Sequence, residues 1–203
     1  MKRPRRYHHD NLKKTLLQSA VKVLAKTGPR AFTIREVARH AKVSHNAPYR
    51  HFQDKDELLA AVAAEGFDRL ADSMITASAS ASDSLAALEA IGCGYVRFAL
   101  QWPDHFSVMF DSALNLKAYP NYSSSGQRAF QILLDKTVAA QQQCQLPAGD
   151  PTPLALSAWS LVHGIAKLEI AKRLPLNSGD AILRFTRFAT HALSEGLRAG
   201  AAK

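Results

Sequence analysis

Cysteine is nearly missing from this sequence: Cys93 and Cys144 are the only two among 203 residues, far apart and in no metal-ligand spacing. That excludes a disulfide framework or a cysteine-rich zinc module, and the pair reads as free thiols of a reducing cytoplasm. No apolar run approaches the ~20 residues that span a bilayer. The basic opening "MKRPRRYHHD" has no apolar stretch behind it, so it does not read as a secretory signal. No convincing alternation of apolar and polar residues marks a half-buried strand. An acid pair, a metal triad and a nucleophile elbow are missing too, and His163-Gly164 alone is too little to argue catalysis. The chain is read as no enzyme, with no cofactor and no metal.

Acidic charge is scarce at one end. Residues 1–55 carry 14 of the 26 Lys+Arg but 3 of the 17 Asp+Glu, a balance of +11, while the rest of the chain stands at −2. Such asymmetry points to a polyanion-binding module joined to a near-neutral body. A non-specific architectural DNA-binder shares this asymmetry and is the alternative reading.

What is abundant is helical signal, so the fold class is all-α. A first helix starts near Asp10 or Asn11, with Leu16, Leu17, Ala20, Val21 and Leu24 on one stripe and Gly28-Pro29 as its stop. "TIRE" is a capping box, Thr33 with Glu36, flanked by the staple pair Phe32 and Val37. Lys42 and Val43 make a short turn, and Ser44 caps a third helix. Asp54 caps a fourth, with Glu57 at N3, running through "ELLAAVAAEGFDRLADSMI". "TASASASDS" reads as the hinge between basic module and body. Further helices are predicted at 84–101, 103–110, 123–144, 152–173 and 179–198, with "YPNYSSSG" and "LPAGDPTP" as breakers and a frayed "AGAAK" end.

The first three helices make an N-terminal three-helix helix-turn-helix. Its third element, "SHNAPYRHF", contains Pro48, which inside a helix costs about 3 kcal/mol. At N3 or N4 that cost is largely avoided, because the first N–H groups have no intrahelical partner. Pro48 and Phe52, four apart, then face inward onto Ile34, Val37 and Ala38, and Pro48 stiffens the helix without breaking it. The competing reading is a loop beginning at Asn46. The outward face carries His45, Asn46, Tyr49 and Arg50. His45 and Asn46 are placed for base edges, Asn46 able to pair bidentately with adenine, and Ala47 for a thymine methyl. Tyr49 and His51 read as phosphate donors, Lys55 as a cation at a helix start, and Arg35 as a guanine or phosphate contact. "KRPRR" reads as an arm along the backbone or minor groove.

At these residues the sequence resembles the TetR family of bacterial transcription regulators. "TIREVARHAKVSHNAPYRHFQDKDELL" is similar to the family pattern T-x-x-x-[IVL]-A-x-x-A-G-V-S-x-x-x-[LP]-Y-x-[HY]-F-x-x-K-x-x-L over about residues 8–70. The resemblance implies phosphate contacts by Thr33, Tyr49, His51 and Lys55, and base reading by the residues between the turn and Tyr49. Lys42 departs from the pattern's glycine, in a turn that favours a left-handed residue; that costs roughly 1 kcal/mol and offers one more phosphate contact. "WSLVHG" (159–164) and "HFSVMF" (105–110) look like a subgroup named for its Trp-His-Gly motif.

The resemblance implies residues 1–55 as basic arm and DNA-binding domain, and 56–203 as a helical ligand-binding and dimerisation domain. A pocket is expected among Phe98, Trp102, Phe106, Met109, Phe110, Trp159 and His163, taking a small apolar or amphipathic effector. The last two helices are expected to form a homodimer interface through Leu161, Ile165, Ile182, Phe185, Ala189, Ala192, Leu193 and Gly196. Two such heads read a near-palindromic double-stranded DNA operator. The expected function is a ligand-responsive repressor in the cytoplasm, with no membrane partner.

Overall fold

From the second helix onward, the helices start where the sequence supplies a side chain for the orphan N–H groups or a proline that lacks one. The computed structural model describes residues 6–111, 114 and 116–201. Eight α-helices and two short 3₁₀ turns occur among them, and no strand. Helix α1 (Arg6–Ala31) begins ahead of the expected Asp10 or Asn11 and is interrupted at Gly28, whose φ of 69° is a left-handed value open to glycine. Most of the predicted "KRPRR" arm lies outside the described residues.

Helix α2 (Ile34–His40) is capped by Thr33: the Glu36 N–H donates to its Oγ1 at 3.2 Å, and the Thr33 hydroxyl donates to the Glu36 carboxylate. Helix α3 (Lys55–Ser78) is capped by Asp54, whose Oδ1 accepts the Glu57 N–H at 2.7 Å. Asp83 caps α4 (Ser84–Gln101) by accepting the Ala86 N–H at 2.9 Å, which lowers its own pKa. Next come α5 (Pro103–Met109), a 3₁₀ turn at Leu116–Ala118 and α6 (Pro120–Gln142). "YPNYSSSG" is therefore no breaker. Pro120 occupies the first helical position, where a missing N–H costs nothing, and the serines continue the helix. Helices α7 (Thr152–Ile170) and α8 (Gly179–Ala201) complete the chain.

Among the described residues, three helices end on non-glycine residues in the left-handed region: Lys42 (φ 57°), Cys144 (φ 55°) and Lys172 (φ 53°). At each, the next N–H reaches back five residues. Val43 donates to the Ala38 carbonyl, Gln145 to Ala140 and Arg173 to Leu168, at 2.8–3.0 Å. These are Schellman closures, in which backbone bonds outweigh the strain of a side chain at C′.

The chain forms two compact units. The first comprises Met1–Gly66 and Asp104–Ser125, the second Phe67–Pro103 and Gly126–Lys203. The break after α3, read as a hinge to the body, lies within the second unit. In the first unit Leu16, Ala20, Val37, Phe52, Leu58 and Leu59 are buried. Gly66 of α3 sits so close to α5 that a Cβ there would meet Met109 Sδ at 2.5 Å. In the second unit α4 packs against α7 and α8. Its α8 turns an unusual face inward: Ile182, Thr186, Thr190 and Ser194 are buried, and each of the three hydroxyls donates to the carbonyl four residues back. Bonded this way, they enter an apolar core without an unsatisfied donor.

Candidate nucleic-acid interface and sensor cavity

In the first unit, α2 and the segment after it build one exposed polar face. Pro48 decides its geometry. With no N–H, it cannot bond the Ser44 carbonyl, which accepts instead from Ala47 N–H at 3.0 Å, an i→i+3 contact. Pro48–Arg50 is a 3₁₀ turn, and the Pro48 carbonyl accepts from both His51 and Phe52. The expected α-helix with Ser44 as its cap is thus not formed. Nor is the segment an open loop, because Ala47 is right-handed helical at φ −62°, ψ −41°. Pro48 and Phe52 are buried as expected. Ala47 is buried with them, at 9% exposure, which turns its methyl away from any thymine.

Thr33, Arg35, Lys42, Ser44, His45, Asn46, Tyr49 and Arg50 are all exposed, Tyr49 at 51%. His51 is half-buried beside Phe52. Lys55 donates to the Arg30 carbonyl at 3.4 Å, so its ammonium lies at the end of α1. The pattern did not flag Tyr119, whose hydroxyl donates to Asp54 at 3.1 Å and so ties the 104–125 segment to the cap of α3.

The expected pocket residues fall in both units. Phe106, Met109 and Phe110 belong to the first unit, where the Phe106 and Phe110 rings stand 5.0 Å apart and Phe106 and Met109 are fully buried. Phe98 is a core residue of the second unit, and the Arg69 guanidinium stacks on Trp102 at 4.1 Å. Trp102 and Phe110 themselves are half-buried.

Trp159 does border a cavity. It lies within the second unit, encloses about 30 Å³ and is walled by Leu88, Ile91, Leu133, Val162 and Leu193 among others. Two residues of its wall, Trp159 and Tyr95, belong to a chain of hydrogen bonds that runs on to His163. The Trp159 indole, which can only donate, gives its N–H to the Tyr95 oxygen at 3.3 Å, and the Tyr95 hydroxyl lies 2.8 Å from His163 Nδ1. Tyr95 then has its proton to give to a neutral His163. Burial, and secondarily Lys167, lower the His163 pKa, while burial raises that of Tyr95. The sequence reading missed Tyr95. The signal was a hydroxyl on the apolar stripe three residues before Phe98, where a buried phenol needs a partner.

The expected dimer face also divides. Ile165 and Ile182 are buried in the second unit, and Leu193, half-buried, lines the cavity. Leu161 and Ala189 are half-buried, and Phe185, Ala192 and Gly196 are exposed. Phe188, missed from the sequence, is 70% exposed on the same side of α8 as Phe185.

Two family profiles match this chain. One, described as bacterial regulatory proteins of the tetR family, covers residues 16–62; the other, a tetracyclin repressor-like C-terminal domain, covers 88–192, just over half the chain. The chain belongs to the TetR family. Both profiles describe regulators, not enzymes. An HTH-type transcriptional repressor of Mycobacterium tuberculosis is 45% identical over 47 residues, 23% of this TetR-family chain and 25% of the repressor's length. A Rhodococcus sp. RHA1 protein of unknown function superposes with a TM-score of 0.79 at 30% identity, covering 98% of this chain and all of that one. FadR from Bacillus subtilis, solved with stearoyl-CoA, gives 0.77 at 14% identity, covering 90% and 98%. PfmR from Thermus thermophilus gives 0.68 at 18%, covering 90% and 98%. At such identities these last two share the fold alone. Among the described residues no helix is long and apolar enough to cross a membrane.

Proposed function

We propose that this TetR-family chain is a sequence-specific DNA-binding repressor that acts as a homodimer on a near-palindromic operator and is relieved by a small effector. Residues 1–55 bind DNA, and 56–203 bind effector and partner. The observation that carries the reading is the exposed cluster of Arg35, Lys42, His45, Asn46, Tyr49 and Arg50 on one motif, held by the buried Ala47, Pro48 and Phe52. A basic face of this kind suits phosphates, and His45 and Asn46 suit base edges. "WSLVHG" supports placing the second domain in the Trp-His-Gly subgroup, and FadR with stearoyl-CoA offers a precedent for a ligand in this fold. Helix α3 carries residues of both units and is the natural lever between effector and DNA, with a coupling of about 1–3 kcal/mol.

Selection of bound sequences from random DNA tests this: a two-fold symmetric consensus is expected, whereas an architectural binder enriches none. On the selected site, Tyr49→Phe weakens binding about tenfold on every sequence, the worth of one charge-assisted hydrogen bond. Asn46→Ala relaxes preference at particular positions by about 1–3 kcal/mol. Equal losses on every DNA tested would show that the phosphate and base contacts are wrongly assigned.

A further inference from the structure

The cavity of the second unit is apolar on almost every side, with one exception that carries charge. Among the described residues Glu89, on α4, is the only acidic or basic side chain lining it, and no lysine, arginine or histidine does. Its side chain is 19% exposed, and its Oε1 is 3.1 Å from Nδ1 of His191 on α8. His191 is 63% exposed, so this pairing is solvent-screened and easily exchanged. Two aromatic residues, Tyr95 and Trp159, also line the cavity. Arg97 and Arg187 lie near Cys93, one turn beyond Glu89, but neither lines the cavity.

We propose that this cavity takes a cationic amphiphile, an amine with an aryl or alkyl body, whose ammonium replaces His191 on Glu89. The proposal rests on reading the second unit as the effector domain. An anionic head meets the Glu89 carboxylate, and no lysine or arginine lines the cavity to offset it, so carboxylates and phosphates bind more weakly. An ammonium gains a charge-assisted hydrogen bond to the Glu89 carboxylate. The body replaces no existing polar contact, since Thr190 and Ser194 already donate to their own helix. About 30 Å³ is room for little more than a water, so the ligand must spread α8 from α4 and α7 as it enters.

The test titrates the full chain with 4-phenylbutylamine, 4-phenylbutanol and 4-phenylbutanoate, one body with three heads, by calorimetry. The amine is expected to bind about tenfold tighter than the alcohol, and the carboxylate weakest. Glu89→Gln, checked for native helicity, removes the amine's advantage and leaves the alcohol unchanged. His191→Ala, which removes the competing partner, tightens the amine several-fold. No binding by any of the three, a carboxylate as tight as the amine, or an amine affinity indifferent to both substitutions overturns the proposal. A separate arm measures release of the selected DNA: amine bound through Glu89 without release leaves the ligand class standing and removes the effector reading.

Discussion

Lys42 shows how much a single backbone angle matters. It holds a φ of 57° at the C′ position of α2, where the strain of a side chain is about 1–2 kcal/mol and glycine has none. Lys42→Gly should therefore raise the unfolding free energy by about 0.5–1 kcal/mol, after the greater freedom of glycine in the unfolded chain is subtracted, as read from denaturant midpoints. The same variant should weaken DNA binding if the lysine meets a phosphate. At His163 the relevant quantity is pH. Burial lowers its pKa from 6.5, so the unfolded chain binds the proton more readily than the folded one. Its contribution to stability is complete above pH 6.5 and falls as pH drops through 6.5 toward the folded value. Denaturation at pH 5.5 and 7.5 should show a loss at the lower pH that is reduced in His163→Gln. The residue pattern made Thr33, Asp54 and Phe52 legible, because caps and staples are local. It did not reveal Tyr119 on Asp54 or Tyr95 on His163, since those partners are 65 and 68 residues apart.

At the level of elements, five helix predictions in the body found their helices, and the 84–101 boundaries match α4. The element that differs is the one carrying Pro48, where the loss of one N–H converts i→i+4 bonding into i→i+3 turns. Helix α8 misled for another reason. Its apolar period fits two stripes, and Thr186, Thr190 and Ser194 look like a solvent face until their hydroxyls are seen bonded to their own helix. The contact of α8 with α4 is close: a Cβ on Gly92 would stand 2.7 Å from Thr190 Cγ2 and 3.1 Å from Val162 Cγ1. Gly92→Ala should cost about 1–3 kcal/mol by overpacking. Thr190→Ser, which removes that methyl, should recover part of the loss in a double-mutant cycle.

For the whole molecule, the feature that matters most is the outward side of α8. Phe185 and Phe188 are exposed at 39% and 70%, with Ala192 and Gly196 beyond them, a surface few monomers leave uncovered. Under the dimer reading a second copy covers it, and a stable interface buries about 800 Å² per partner. Phe185→Asp with Phe188→Asp should then give a monomer by light scattering, with helical circular dichroism retained and affinity for a two-half-site DNA sharply reduced. A variant that stays dimeric places the interface elsewhere.

The amino-acid sequence alone determined the all-α class, the basic head, the Thr33 and Asp54 caps and the family, because each of these rests on neighbours within one or two turns or on charge, which needs no partner. Only the tertiary structure decided which apolar stripe faces inward, which aromatics are core, and that Tyr95, Trp159 and His163 share one hydrogen-bonded chain beside a cavity. Those outcomes depend on side chains brought together from distant helices, and periodicity says which residues share a face without saying what that face meets.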